Sequence, residues 1–311
     1  MNWLTRTLVF FLWSAVLCAS EPPGPLWGFN KVYELTGSVD QPMIMPTDIA
    51  IGSQGRVYIV DSGNNRVVCY SERGEYLFEF GSAGEGKGQL LGPVGITTAP
   101  DGSVLVADRG NRRIQIFNEL GEILASIPTK LDMQYITPVD VAVDAGNRYL
   151  YVTASKPHHK ILVYGGGSGK GEVKSTWGKP GSNPGEFRFP ATIARGPDEN
   201  LYIVDVFNSR IQVLRPTGEP LSTVGSWGIT PGHLFRPKGI AINQKGLVAV
   251  SDSYLGVVQL FDDNTRFQAV LGENGDFAHF TTPTGLAFDH QGRLYIAEML
   301  ANRVTVLEIE Q

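Results

Sequence analysis

Six short stretches of the chain repeat one pattern of large and small residues. Each begins with Pro, has Ile, Val or Leu three positions later, and has Ala or Thr four positions later. Alternation of this kind over so short a run is typical of a strand whose two faces differ. The pattern therefore predicts six equivalent strands, which begin 45 to 52 residues apart. The prolines are Pro46, Pro93, Pro138, Pro190, Pro237 and Pro283.

Further strands follow each proline segment in the same order. A second apolar run ends in an acidic residue, as in Leu201–Asp205, and a basic residue five positions later opens a third run, as at Arg210. Glycine-rich turns then lead through a fourth run to the next Pro, and glycine supplies the positive φ that tight turns require. Four short strands in about 47 residues are typical of a propeller blade. The predicted fold is therefore an all-β, six-bladed β-propeller of four-stranded antiparallel blades.

The last repeat is short of one strand. Residues 283–311 have room for three strands, whereas Lys31–Ser38 resembles the segment Tyr76–Ser82 at the end of the first repeat. We therefore predict that residues 31–36 form the outer strand of the last blade and close the ring, which removes an exposed sheet edge. A single domain over residues 31–311 follows, preceded by a proline-rich leader at 21–30.

The repeats resemble NHL repeats in their order of motifs: Pro-x-Gly-Ile-Ala, a strand ending in Asp, then Asn-x-Arg-Ile-Gln. Residues 93–117 and 190–214 match this pattern best. The resemblance implies a propeller, but the family's functions differ: protein or RNA binding, extracellular sensing and, in a related amidating lyase, metal-dependent catalysis.

Composition narrows the possible partners. The 311 residues carry a formal net charge of -5, so the chain lacks the broad positive field that binds phosphate backbones, and we expect no nucleic acid partner. Two Cys exclude a disulfide framework.

Residues 1–20 have the layout of a secretory signal peptide. Arg6 precedes the apolar run Leu8–Leu17, and small residues at 18–20 suit cleavage. We expect the protein to be extracytoplasmic, either periplasmic or secreted, with no stable membrane span once the signal is removed. An uncleaved membrane anchor is the alternative.

Two kinds of candidate site remain, and the first is catalytic. The alternative function is that of an enzyme with its centre at the mouth of the channel: either a metal-dependent lyase, which the resemblance to the amidating lyase implies, or a lactone or ester hydrolase. Asp48, Asp140 and Glu298 would supply oxygen ligands for Ca²⁺, with Zn²⁺ the alternative ion. Against this, the repeated pairing of an acid with a basic residue five positions later predicts a structural role. We expect its carboxylate to accept backbone N–H groups in the turn between the second and third strands.

The second kind is a binding surface, and it is sought where the repeats differ. The loop after the second strand is small or polar in the first two repeats but apolar in the fourth, fifth and sixth. We predict an apolar arc on one loop face that binds a protein, peptide or glycan, and hence a non-catalytic binding or scaffold module without a cofactor. Residues 156–159 are a secondary region, predicted on the opposite side. The predicted contacts are Val206, Phe207, Tyr254, Leu255, Met299, Leu300, His158 and His159.

Overall fold

The computed structural model describes residues 24–155, 157–166 and 171–310. The predicted signal peptide at 1–20 and Lys156 of the secondary region lie outside these residues. Within the described residues no helix has the length and hydrophobicity needed to cross a membrane.

Six four-stranded antiparallel sheets are arranged in a ring, and we number these blades 1 to 6 from the blade that begins at Pro46. The innermost strand of each blade contacts the innermost strands of both neighbouring blades, including blade 6 with blade 1. The predicted six-bladed propeller is therefore confirmed.

Every blade contains the same four kinds of strand. Their residues are given below in the order of blades 1 to 6. The innermost strands are Pro46–Ile51, Gly95–Thr98, Pro138–Val143, Pro190–Arg195, Pro237–Ile242 and Pro283–Phe288. The second strands are Val57–Asp61, Val104–Asp108, Tyr149–Ala154, Leu201–Asp205, Val248–Asp252 and Leu294–Glu298. The third strands are Arg66–Tyr70, Arg113–Phe117, Lys160–Gly165, Arg210–Leu214, Val257–Phe261 and Arg303–Ile309. The outer strands are Tyr76–Phe80, Ile123–Pro128, Glu172–Trp177, Pro220–Val224, Phe267–Glu273 and Phe29–Leu35.

Shorter elements occur between these strands. Two-residue strands are Leu26–Trp27, Lys130–Leu131, Gln134–Tyr135 and Asp276–Phe277. Single 3₁₀ turns are Ser62–Asn64, Val206–Asn208 and Met299–Ala301.

The N-terminal segment contributes strands to two adjacent blades. Phe29–Leu35 pairs antiparallel with Arg303–Ile309, so the predicted closure of blade 6 is confirmed, with the strand beginning two residues earlier than expected. Leu26–Trp27 also pairs in parallel with the outer strand of blade 5, opposite Val270 and Leu271. The same segment therefore covers the outer edge of one blade and completes the next.

The core lies between adjacent blades, because each sheet buries both faces. One cluster joins Tyr58 and Val60 of blade 1 to Ile96 and Val104 of blade 2. Full burial of such side chains contributes about 1.5–3 kcal/mol each, and this explains why the second and third strands are apolar almost throughout.

The strand directions give the ring two different faces. The loops between second and third strands lie on one face with the segments that enter each blade, and we call this the loop face. The remaining turns lie on the opposite face. In sequence, none of the six loops between second and third strands contains Asp or Glu.

Candidate functional site

Five of these six loops have a buried base built around an acidic side chain, whereas blade 3 has Ser155 at the equivalent position. In blade 4, Asp205 is fully buried and accepts hydrogen bonds from Nε of Arg210 at 3.0 Å and from Nδ2 of Asn208 at 2.7 Å. It also accepts the backbone N–H of Arg188 at 2.6 Å. The repeated acid is therefore structural. The N–H that Asp205 accepts lies in the segment entering the blade, whereas Asp252 of blade 5 also accepts the N–H groups of Tyr254 and Leu255 in the turn itself, as predicted.

The last residue of each loop has left-handed backbone geometry and can reach the next blade. Oδ1 of Asn65 accepts the N–H of Gly92 at 2.7 Å, across blades 1 and 2. Nδ1 of His159 does the same for the N–H of Phe189 at 2.9 Å, across blades 3 and 4. His159 therefore links two blades, and the half-buried His158 lies beside it on the same loop. Both histidines are on the loop face, which corrects their predicted position on the opposite side.

The two channel aspartates also connect blades. Oδ2 of Asp48 accepts the N–H of Ile96 in blade 2 at 2.9 Å, and Oδ2 of Asp140 accepts the N–H of Ile193 in blade 4 at 2.9 Å. Burial raises the pKa of Asp48 to about 7, although its hydrogen bonds oppose this shift. Burial, followed by repulsion from Asp48, raises the pKa of Asp140 well above its ordinary value.

The alternative metal ligands are not brought together with a third ligand. In the part of the chain that the structure describes, no group of three or more His, Cys, Asp or Glu side chains could hold a metal ion. Glu298 belongs to the loop base of blade 6, where Nε of Arg303 and the hydroxyl of Thr305 donate to it at 2.8 and 2.6 Å. Its hydrogen bonds to Arg303 and Thr305 lower its pKa despite burial.

The predicted apolar arc is exposed at three loop tips. The exposed fractions are 48% for Phe207, 72% for Tyr254 and 61% for Leu300. Leu255 and Met299 are half-buried. Val206 is the exception, because it is only 1% exposed and packs in the core between blades 4 and 5. Its side chain therefore points inward and cannot contact a partner.

Aromatic rings connect the loop tips of blades 4 and 5. The rings of Phe189 and Phe207 are 5.4 Å apart, and those of Phe235 and Tyr254 are 4.7 Å apart. The guanidinium of Arg236 lies between the two pairs, 5.0 Å from the Phe207 ring and 5.4 Å from the Phe235 ring. We call these four rings the aromatic row. Sequence reasoning missed Phe189 and Phe235, although each is a large residue just before one of the six prolines.

The aromatic row leads to a cavity at the mouth of the channel. This mouth cavity has a volume of about 310 Å³ and is lined by side chains from all six blades. Nζ of Lys238 lies 5.7 Å from the Phe189 ring and borders the cavity. Burial lowers the pKa of Lys238, and the positive charges of Arg236 and Arg109 lower it further. Among the described residues that line the cavity there is no acid.

A second exposed group on the loop face was also missed. Trp227 and Ile229, in the segment entering blade 5, are 72% and 69% exposed. Large apolar residues in a glycine-rich connection were the available sequence signal.

The comparisons with known proteins agree with the repeat pattern. Residues 44–70 and 90–117 match the family model described as NHL repeat, which confirms the resemblance on which the fold prediction drew. The Protein brain tumor of Drosophila melanogaster is 23% identical over 172 residues. The match covers 53% of this chain and 15% of that protein.

Similar solved structures include several enzymes. A streptogramin B lyase matches with a TM-score of 0.65 and 14% identity, covering 89% of this chain and 98% of that one. Virginiamycin B lyase from Staphylococcus aureus matches with a TM-score of 0.61 and 18% identity, covering 92% and 95%. A gluconolactonase from Xanthomonas campestris matches with a TM-score of 0.64 and 15% identity, covering 90% and 89%. At these identities the likeness shows the propeller fold alone.

Proposed function

We propose that this protein is a non-catalytic binding propeller that holds a protein or peptide on its loop face. The observation that carries the proposal is the exposure of Phe207, Tyr254 and Leu300 at the tips of loops in three consecutive blades. Large apolar side chains grouped on one surface are typical of an interface.

The contacts that hold these side chains in place also support a binding role. Phe207 is held by the ring of Phe189 and by Arg236, and Tyr254 by the ring of Phe235, so both lose little conformational freedom when a partner binds. Rigid aromatic anchors commonly contribute most of the binding energy of an interface. The buried loop bases below them favour binding with little backbone movement.

A protein or peptide suits this surface better than a glycan. Sugar hydroxyls are bound through many polar acceptors, whereas the six loops contain no carboxylate in their sequence. Apolar side chains next to a guanidinium fit peptide side chains and carboxylates. Export of the protein, which we infer from residues 1–20, would place this partner outside the cytoplasm.

The test uses a displayed peptide library selected on the purified protein, followed by affinity measurements on the selected peptides. The double variant Phe207→Ala/Tyr254→Ala should bind at least tenfold more weakly, because each ring is a central anchor. The matched control is Leu120→Ala/Leu124→Ala, two side chains of similar exposure toward the opposite face. Equal affinities for the two double variants, or enrichment of glycans and not peptides on an array, would overturn the proposal.

A metal-dependent lyase or a lactone or ester hydrolase is the second candidate. The observation that favours it is the pair of buried channel aspartates, Asp48 and Asp140, whose pKa values are both raised. Metal analysis of the purified protein separates the candidates. A tightly held stoichiometric ion that is lost in Asp48→Asn/Asp140→Asn would favour the enzyme.

A further inference from the structure

The mouth cavity carries positive charge, and no acid lies among the described residues that line it. Burial lowers the pKa of Lys238, the charges of Arg236 and Arg109 lower it further, and no carboxylate among the described residues opposes this shift. A partly buried ammonium among like charges is unfavourable unless an anion joins it. The arrangement therefore favours a negatively charged group beside Lys238.

A hydroxyl with unused hydrogen-bonding capacity borders the same cavity. Oγ1 of Thr47 is buried and has no hydrogen-bond partner among the described residues. Thr192, which also lines the cavity, is different, because its hydroxyl donates to the backbone oxygen of Lys238 at 2.7 Å. A buried hydroxyl without a partner costs free energy, and an anionic oxygen in the cavity would give Thr47 an acceptor.

The rest of the wall determines which anion fits. Val94, Val139, Ala191 and Met299 line the cavity, so most of the surface that a ligand would meet there is apolar. Moving a doubly charged phosphate into such surroundings costs more hydration than moving a singly charged carboxylate. A volume of about 310 Å³ leaves space for an apolar group beside the charge.

We propose that the mouth cavity binds the carboxylate of a monocarboxylic acid with an apolar body, either free or as the C-terminal residue of a peptide. Lys238 pairs with the carboxylate, Thr47 donates a hydrogen bond to it, and the apolar walls hold the body. The peptide form rests on the proposed function, because a peptide on the aromatic row lies beside the cavity. The free acid does not depend on it.

Calorimetric titration with N-acetylphenylalanine and with its amide tests the site on the whole protein. The acid should bind at least tenfold more tightly than the amide, since only the acid pairs with Lys238. Lys238→Met should remove this preference, and Thr47→Val should weaken binding of the acid severalfold. The matched control is Lys245→Met, an exposed lysine in the same blade on the opposite face, which should leave binding unchanged. Melting temperatures establish that each variant is folded.

Two further titrations identify the anion and its source. Inorganic phosphate should compete weakly, and competition equal to that of the acid would overturn the proposal. A selected peptide should lose affinity when its C-terminus is amidated if the carboxylate comes from a peptide.

The two proposals can fail separately. Phe207→Ala/Tyr254→Ala should weaken peptide binding and leave the free acid unaffected. Equal binding of acid and amide by the unchanged protein would overturn the carboxylate site, whatever the peptide selection shows. If the acid binds and no peptide is selected, the carboxylate site stands and the proposed function fails.

Discussion

The base and the tip of the loop in blade 4 differ in what they contribute. At the base, Asp205 is fully buried and its bonds to Arg210 and Asn208 recur with the same residue types in blades 1 and 2. At the tip, Phe207 is half exposed, and the equivalent residue varies from glycine in blades 1 and 2 to Tyr254 in blade 5 and Leu300 in blade 6. Residues that repeat hold the ring together, whereas the residues that vary are free to contact a partner.

Removal of a base acid should have the largest effect on stability. Asp205→Ala leaves the N–H of Arg188 and the guanidinium of Arg210 without their buried acceptor. Breaking a buried pair in this way costs about 3–5 kcal/mol. Urea unfolding should show this loss, and Phe207→Ala in the adjacent turn is the control. A loss below about 1 kcal/mol would contradict a structural role for the base.

Substitution of the channel aspartates should change how stability depends on pH. Burial raises the pKa of Asp48 to about 7, so the folded state binds more protons than the unfolded state from about pH 4 to 7. The contribution of Asp48 to stability therefore falls as the pH rises through this range. The free energy of unfolding of Asp48→Asn/Asp140→Asn should therefore rise relative to that of the unchanged protein by on the order of 4 kcal/mol between about pH 4 and 7. Urea unfolding of both proteins at several pH values measures this difference. If the free energies of unfolding of the two proteins change in parallel across this pH range, the raised pKa of Asp48 is contradicted.

The hydrogen bond from Phe189 to His159, which connects blades 3 and 4, should contribute less to stability than a base acid does. His159→Ala removes the acceptor for the N–H of Phe189 and should cost about 1–2 kcal/mol. His159→Asn should restore most of this, since Asn65 makes the equivalent bond and Asn tolerates a positive φ. Thermal unfolding of the two variants checks the difference. Equal melting temperatures for Ala and Asn would remove the role assigned to the imidazole.

The smallest change in stability is expected at the tips and in the mouth cavity. Phe207→Ala/Tyr254→Ala should shift the free energy of unfolding by less than about 1 kcal/mol, because Phe207 is half exposed and Tyr254 is largely exposed. Lys238→Met should leave the melting temperature unchanged or raise it, since it removes a partly buried charge that no acid offsets. A clear decrease for Lys238→Met would show that the lysine has a structural role.

The parts of the fold that could be predicted are those that repeat. Six copies of a proline segment determined the blade number, and the likeness of Lys31–Ser38 to Tyr76–Ser82 located the closing strand. Leu26–Trp27 could not be predicted, because two residues added in parallel to an edge leave no periodic pattern.

The site was predictable only in part, for a different reason. Variation between repeats pointed to Phe207 and Tyr254, but it could not distinguish the inward Val206 from its outward neighbour within one short turn. The mouth cavity was missed because Lys238, Thr47 and Arg109 are far apart in sequence and on three different blades. Their proximity depends on ring geometry that no single repeat contains.

The closing strand has a consequence for the order of folding during synthesis. Asn30 and Glu310 are 280 positions apart and hydrogen-bonded to each other at 2.8 Å. Blade 6 therefore cannot form completely until residues 303–309 have left the ribosome. Until then, Phe29–Leu35 has no partner strand in blade 6. A nascent chain with five finished sheets still presents an open edge, which is a hazard for wrong pairing. Among the long strands that the structure describes, Phe29–Leu35 is thus the earliest in sequence and the one that stays unpaired longest.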